Sequence, residues 1–245
     1  MALASAPTLL GVVVTTVSTT VSLSSLPTTA GALIIVLTGA RRLSANPAVL
    51  NPSCTIPLTG ASGVGAVYDS GAHRYRTMAH YGTATGDPLN ASLTASGGWW
   101  LALAVLQWVG AASLGLAGEA GITGAGTLTP SMGGTPAASS AAVAWAVQNS
   151  ATGYAAISGW TELGEGAGDV DTAVAEFDAP GSPETSIPFV MSTHGRALIA
   201  EVVEAPSGLP GAKRHSGMSH GRAHPGLWLP GRGAVLAPSM LRRAA

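Results

Sequence analysis

Charge is what this sequence has least of. Only 9% of its 245 residues are Asp, Glu, Lys or Arg, against roughly 25% in ordinary globular proteins. Ser, Thr, Gly and Asn, or burial of much of the surface in an assembly, must supply the solubility that charge usually supplies. The same shortage argues against a disordered chain, because disorder goes with high charge and few β-branched residues. Cysteine is nearly absent too. Cys54 stands alone, so no internal disulfide can form, and no Cys/His spacing resembles a metal site. Among Pro52, Ile56 and Pro57 it reads as a small, buried or half-buried residue. The stretch Gly60-Ala61-Ser62-Gly63-Val64-Gly65 has glycines but no lysine and no strand-to-helix setting, which excludes a phosphate cradle. No G-x-S-x-G elbow occurs. The first residues, Met1-Ala2-Leu3-Ala4-Ser5-Ala6-Pro7, lack the positive region of a secretory signal, so no export is expected and the Asn90-Ala91-Ser92 sequon carries little weight.

What is present in abundance is apolar sequence, densest from Gly97 to Val109, where Trp99, Trp100, Leu101, Leu103, Val105, Leu106 and Trp108 fall together. No charge lies between Asp87 and Glu119. Residues 98–118 reach the length of about 20 that a membrane helix needs. Their second half is diluted by Gly110, Ala111, Ala112, Ser113, Gly115, Ala117 and Gly118, and the nearest basic residues are Arg76 and Arg196. A span without flanking positive charge has nothing to orient it. The flanking glycines and the three tryptophans favour one or two buried strands, and no membrane insertion is expected.

Elsewhere the periodicity is that of strands. Val12 and Val14 alternate; then Val17, Thr19, Val21 and Leu23 share one face while Ser18, Thr20 and Ser22 take the other. Leu33 to Leu37 is a short continuous apolar run of the central-strand kind. Further strands are expected at 66–68, 73–79, 89–94, 141–147, 171–178, 185–191 and 196–204. Residues 44–66, with their prolines and glycines, read as loop with brief strand pieces, and residues 110–136 read as loop for their lack of period. Gly159 to Leu163 is a compact aromatic segment, followed by an acidic loop from Gly164 to Asp171. About ten short strands with Gly/Pro turns and no amphipathic helix predict an all-β fold, an antiparallel β-sandwich or jelly roll over residues 1–205.

After Glu204 the character changes. Ala205 to Gly211 is a linker, and residues 206–245 form an extended, basic, Gly/Pro-rich arm. The arm holds six basic and no acidic residues, whereas the first 205 residues hold five basic and twelve acidic ones. Such a tail can bind nucleic acid, but its Gly, Pro and Leu content favours an acidic neighbouring subunit, and no nucleic acid is expected as partner. Leu227, Trp228, Leu229, Arg232, Leu236, Leu241, Arg242 and Arg243 are the candidate docking residues, since isolated Trp, Leu and Arg side chains make good anchors.

Few constellations suit chemistry. His73 and His80 face one another only if the backbone turns between them, His194 lies in a turn, and His215, His220 and His224 lack a carboxylate or cysteine companion. Glu162, Glu165, Asp169 and Asp171 lack the order of a calcium-binding loop and read as solvated. No catalytic residue, metal ligand or cofactor is expected, and the chain is not expected to be an enzyme.

The order of segments resembles that of β-sandwich structural modules in tailed-phage virions. The resemblance rests on Thr19 to Leu37 (an alternating strand, Pro27, Thr28-Thr29-Ala30-Gly31, then Leu33-Ile34-Ile35-Val36), on His73 to Leu93 with Gly86-Asp87-Pro88, on Gly159-Trp160-Thr161-Glu162-Leu163, and on the late strand ending in Ala200-Glu201. It covers residues 8–204. The Trp-rich run and the basic arm are not part of the pattern. The resemblance implies a non-enzymatic spike, decoration or tail-fibre component, assembled in the bacterial cytoplasm. It would form a homo-oligomer and dock on capsid, portal or tail subunits through its arm. A rival reading is a carbohydrate-binding, receptor-binding sandwich that stacks a host-surface glycan on Tyr81, Tyr154 or Trp160. A second rival is anchoring in a membrane through residues 98–118.

Overall fold

The computed structural model describes residues 3–4, 6–43, 45–71, 73–168, 171–181 and 183–206. The docking residues expected in the arm, Leu227, Trp228, Leu229, Arg232, Leu236, Leu241, Arg242 and Arg243, lie outside the described residues, as does Asp169. Among the described residues the chain is all-β: β1 (Thr8–Leu26), β2 (Leu33–Arg42), β3 (Ser53–Cys54), β4 (Thr59–Gly60), β5 (Tyr68–Asp69), β6 (Arg74–Thr83), β7 (Leu89–Trp108), β8 (Ala111–Ile122), β9 (Gly126–Leu128), β10 (Ala141–Gln148), β11 (Thr161–Ala167), β12 (Thr172–Asp178), β13 (Phe189–Met191) and β14 (Gly195–Glu204). The first sheet runs β1-β7-β2-β6-β4, with β3 on β7 and β5 on β6; the second runs β11-β12-β10-β14-β8; β9 and β13 form a two-stranded ribbon. Every pairing is antiparallel. The β-sandwich expected from the pattern is the architecture found.

Period-2 alternation decides what each sheet buries. Leu33, Ile35 and Leu37 of β2, Trp100 to Trp108 at even positions of β7, Val143, Trp145 and Val147 of β10, Ala173, Ala175 and Phe177 of β12, and Leu198, Ala200 and Val202 of β14 meet in one cluster between the two sheets. Trp108 stands edge-on to Phe177 at 6.0 Å between ring centres, and its Nε1–H donates to the Ala4 carbonyl at 2.8 Å. Alternate glycines on β11 let β1 seat directly on its backbone: a Cβ on Gly166 would stand 2.8 Å from Val14, and one on Gly164 would collide with Leu9.

The other residues of each strand point outward, and both outer faces are covered. Over the first sheet, Ile34, Val36, Leu101, Leu103 and Val105 are joined by Val21, Leu26, Leu50, Ile56, Leu89 and Leu93. Strands β1 and β7 are long because their paired far ends, Thr20–Leu26 against Leu89–Thr94, fold back over the sheet that their near ends build. Irregular pairing between Thr15, Ser18 and Thr20 marks the bend and shifts the buried face from Val12 and Val14 to Val21. Over the second sheet, Ala144, Val174 and Ile199 are covered by Leu128, Met132, Ile157, Trp160, Ile187, Phe189 and Met191.

Several expectations need correction. The Trp-rich run and residues 89–94 form one strand, β7, rather than separate ones. Residues 98–118 are the end of β7, a turn at Gly110 (φ 82°) and the start of β8, so the helical span is not what forms there. No helix among the described residues is long and apolar enough to cross a membrane. Residues 110–136 contain β8 and β9 instead of loop alone, and the acidic loop begins only after β11 ends at Ala167. Of the expected 185–191 strand, Phe189–Met191 forms β13 and Ser186 makes an isolated antiparallel bridge to Ser131. Cys54 is half-buried, as expected, against the cover of the first sheet.

Candidate functional site

The densest group of polar side chains closes one end of the sandwich. Arg41 at the end of β2 donates from Nη2 to Asp171 Oδ2 at 2.6 Å, a pair whose carboxylate side chain is 0% exposed. From Nη1 it donates to His73 Nδ1 at 3.2 Å. The Asn149 amide lies 3.1 Å from His73 Nε2. The atom of that amide that faces the ring is its nitrogen, Nδ2. His194 stands edge-on to His73 at 5.4 Å; its carbonyl accepts from Tyr75 Oη at 3.2 Å and from the backbone N–H of Asn149 at 3.1 Å. The period of each strand brings these groups together: Arg41 and Tyr75 lie on the inward face of neighbouring strands, and Asn149, Asp171 and His194 come from connections at the same end.

The electrostatics fit a tie more closely than a reaction centre. Burial, with help from Arg41 and His194, lowers the pKa of His73 and keeps the ring neutral. Burial raises Asp171, with the Arg41 hydrogen bond and charge opposing the rise. Burial pushes the Tyr75 phenol far above its usual range. In a nucleophile–histidine–carboxylate triad the carboxylate accepts from the histidine. Here a guanidinium sits between the two, so His73 gains no basicity from Asp171.

A second buried group lies between the sheets at the other edge. Glu119 of β8 pairs with Arg196 of β14 and accepts from the N–H groups of Gly65 and Ala66, each at 2.9 Å. The Arg196 guanidinium also lies 5.8 Å from the centre of the Tyr68 ring. One carboxylate thus fixes the loop before β5 to the second sheet. His73 precedes β6 and His80 lies within it on the opposite face, and burial lowers the pKa of His80 as well.

Of the three rings considered for sugar stacking, Trp160 is 8% exposed and packs in the cover of the second sheet. Tyr154 is half-buried, edge-on to Phe189 at 6.0 Å. Tyr81 is half-buried at the rim of the sandwich core and lines an open groove of about 310 Å³ with Pro57, Thr59, Gly82, Thr83 and Ala112. Among the described residues, the acidic side chains of 162–171 do not converge. Glu162 is exposed, Glu165 accepts from Tyr154 N–H at 3.2 Å, and Asp171 faces Arg41. Among the described residues no group of three or more His, Cys, Asp or Glu could hold a metal ion. The Arg41–Asp171 pair escaped the sequence reading because 130 residues separate its members and no local pattern links them.

No protein-family model matches the chain, and no curated protein or solved structure is similar to it.

Proposed function

We propose that the chain is a non-enzymatic structural protein of a tailed-phage or phage-like particle, a surface-exposed spike, decoration or fibre component that docks through residues 206–245. The observation that carries this reading is the use to which the sandwich puts its interior polar groups. Arg41, Asp171, His73 and Asn149 bind one another and lock the end of the sandwich, instead of converging on an open pocket. A body built this way is a rigid block. The scarcity of charge suits a protein that buries much of its surface against copies of itself. A basic arm with Leu227, Trp228, Leu229 and Leu241 as anchors suits capsid, portal or tail subunits of acidic surface. Mass spectrometry of density-purified particles from the source cells tests the reading. The chain is expected at a fixed copy number per particle. Recovery only as free protein or in the membrane pellet would contradict it.

A second reading has one observation in its favour, the groove beside Tyr81. A ring flanked by the exposed Thr59 and Thr83, with no charged residue in the lining, suits a neutral sugar. A glycan array probed with the full chain and with Tyr81→Ala tests it. Binding that the substitution abolishes supports a receptor-binding module, and equal signals from both proteins reject this site.

A further inference from the structure

The outward face of the second sheet carries carboxylates that hold the cover down. Glu201 accepts from the N–H groups of Leu116 at 3.1 Å and Ala137 at 2.7 Å. Asp178 accepts from Glu184 N–H at 2.7 Å, and Glu165 accepts from Tyr154 N–H. Glu176 is the exception. It lies on the same face, is 1% exposed, and neither carboxylate oxygen has a hydrogen-bond partner. Its register neighbours are Glu162 on β11 and Ala144 on β10. The covering segments bring Trp160, Ile187 and Phe189 to this face. The charged groups on the face are Glu162, Glu165, Asp178 and Glu201, with Glu184 held at Asp178 from the cover. The five arginines of the described residues lie on the first sheet or, for Arg196, on the inward face of β14. An ionised carboxylate in an apolar setting with no partner is costly, and the group stays protonated instead.

We propose that Glu176 makes the cover of the second sheet pH-responsive: the segments 149–160 and 183–191 are closed while its carboxyl is neutral and loosen when it ionises. Burial and the nearby Glu162 raise its pKa to about 7. A carboxyl raised in the closed state stabilises that state fully below its ordinary pKa of about 4.3. This contribution is lost as pH rises through about 7. Loosening uncovers the apolar side chains of the face, so one sequence presents two surfaces on either side of neutrality.

Hydrogen exchange of the full chain at pH 5 and pH 8, corrected for intrinsic rates, tests the proposal. Peptides from the two covering segments are expected to lose protection by roughly one to two orders of magnitude between these conditions, while β2 peptides keep theirs. Glu176→Gln, neutral at both pH values, is expected to abolish the loss. Should that variant fail to fold, Glu162→Gln at its exposed position serves: it shrinks the pH response and leaves protection at pH 5 unchanged. A cover with the same protection at both pH values overturns the proposal. So does an unchanged pH response in a folded Glu176→Gln, or in Glu162→Gln where that variant must serve.

Discussion

The two outer faces of the sandwich are covered by different means. The first sheet's long strands, β1, β2, β6 and β7, contain no Asp or Glu, and the folded-back ends of β1 and β7 and residues 50–56 over them are held by Val21, Leu26, Leu50, Ile56, Leu89 and Leu93. The second sheet carries Glu162, Glu165, Glu176, Asp178 and Glu201 outward, and carboxylate–amide hydrogen bonds hold much of its irregular cover. Regular strands satisfy most of their own backbone, so a cover built largely of strand ends needs apolar contact and a few neutral acceptors, such as Met78 Sδ for Leu50 N–H and Thr55 Oγ1 for Asn90 N–H. Loops leave N–H groups without partners, and a buried N–H must find an acceptor. Glu165, Asp178 and Glu201 stand where loops cross.

The largest effects should come from the groups that join the sheets. Arg41→Met removes the guanidinium paired with a carboxylate that is 0% exposed, and breaking a buried ion pair costs about 3–5 kcal/mol. Urea denaturation should show this loss as a lowered midpoint. Leu50→Ala, in the first cover, should cost about 2–5 kcal/mol in the same assay. Glu201→Ala, in the second cover, strands two backbone donors and should cost about 1–3 kcal/mol, felt locally around Leu116 and Ala137. Acid should act on the first sheet's histidines. The pKa values of His73 and His80 are both lowered in the fold, so the unfolded chain binds more protons as pH falls below about 6.5. The histidine contribution to stability falls from pH 7 to pH 5, opposite in sign to those of Glu176 and Asp171, so His73→Gln should lose less melting temperature toward pH 5 than the parent chain does in the same series. Val190→Ser, on a side chain 56% exposed, should change the urea midpoint by no more than about 0.5 kcal/mol allows.

Much of this architecture is legible in the sequence where side chains alternate. β2, β10, β12 and β14 follow from Leu33 to Leu37, Val143 to Val147, Ala173 to Phe177 and Leu198 to Val202, because each strand buries large residues at a period of two. β8 is not legible, because its pattern is written in its neighbours. A Cβ on Gly118 would collide with the Ser131 carbonyl, and one on Gly121 with the Tyr68 ring. The residues that fill the face belong to other segments. β11 hides for the same reason: Gly164 and Gly166 leave room for Leu9, Val12 and Val14 of β1. Single residues of the polar end are visible, since Asp171 and His73 stand out in an almost uncharged chain. Their convergence is a property of the strand order, which no local signal encodes. Tyr81 is set apart from Tyr154 and Trp160 by its place at the sandwich edge, and aromatic spacing carries no trace of that.

The contrast between the covers is tested most directly by native-state hydrogen exchange of the full chain carrying Glu201→Ala or Leu50→Ala at pH 6. If discrete tethers hold one cover and apolar packing the other, Glu201→Ala raises exchange in peptides around Leu116 and Ala137 and leaves β2 and β7 protected. Leu50→Ala then lowers protection throughout the first sheet. Uniform loss of protection in Glu201→Ala, or a purely local response in Leu50→Ala, would contradict the account.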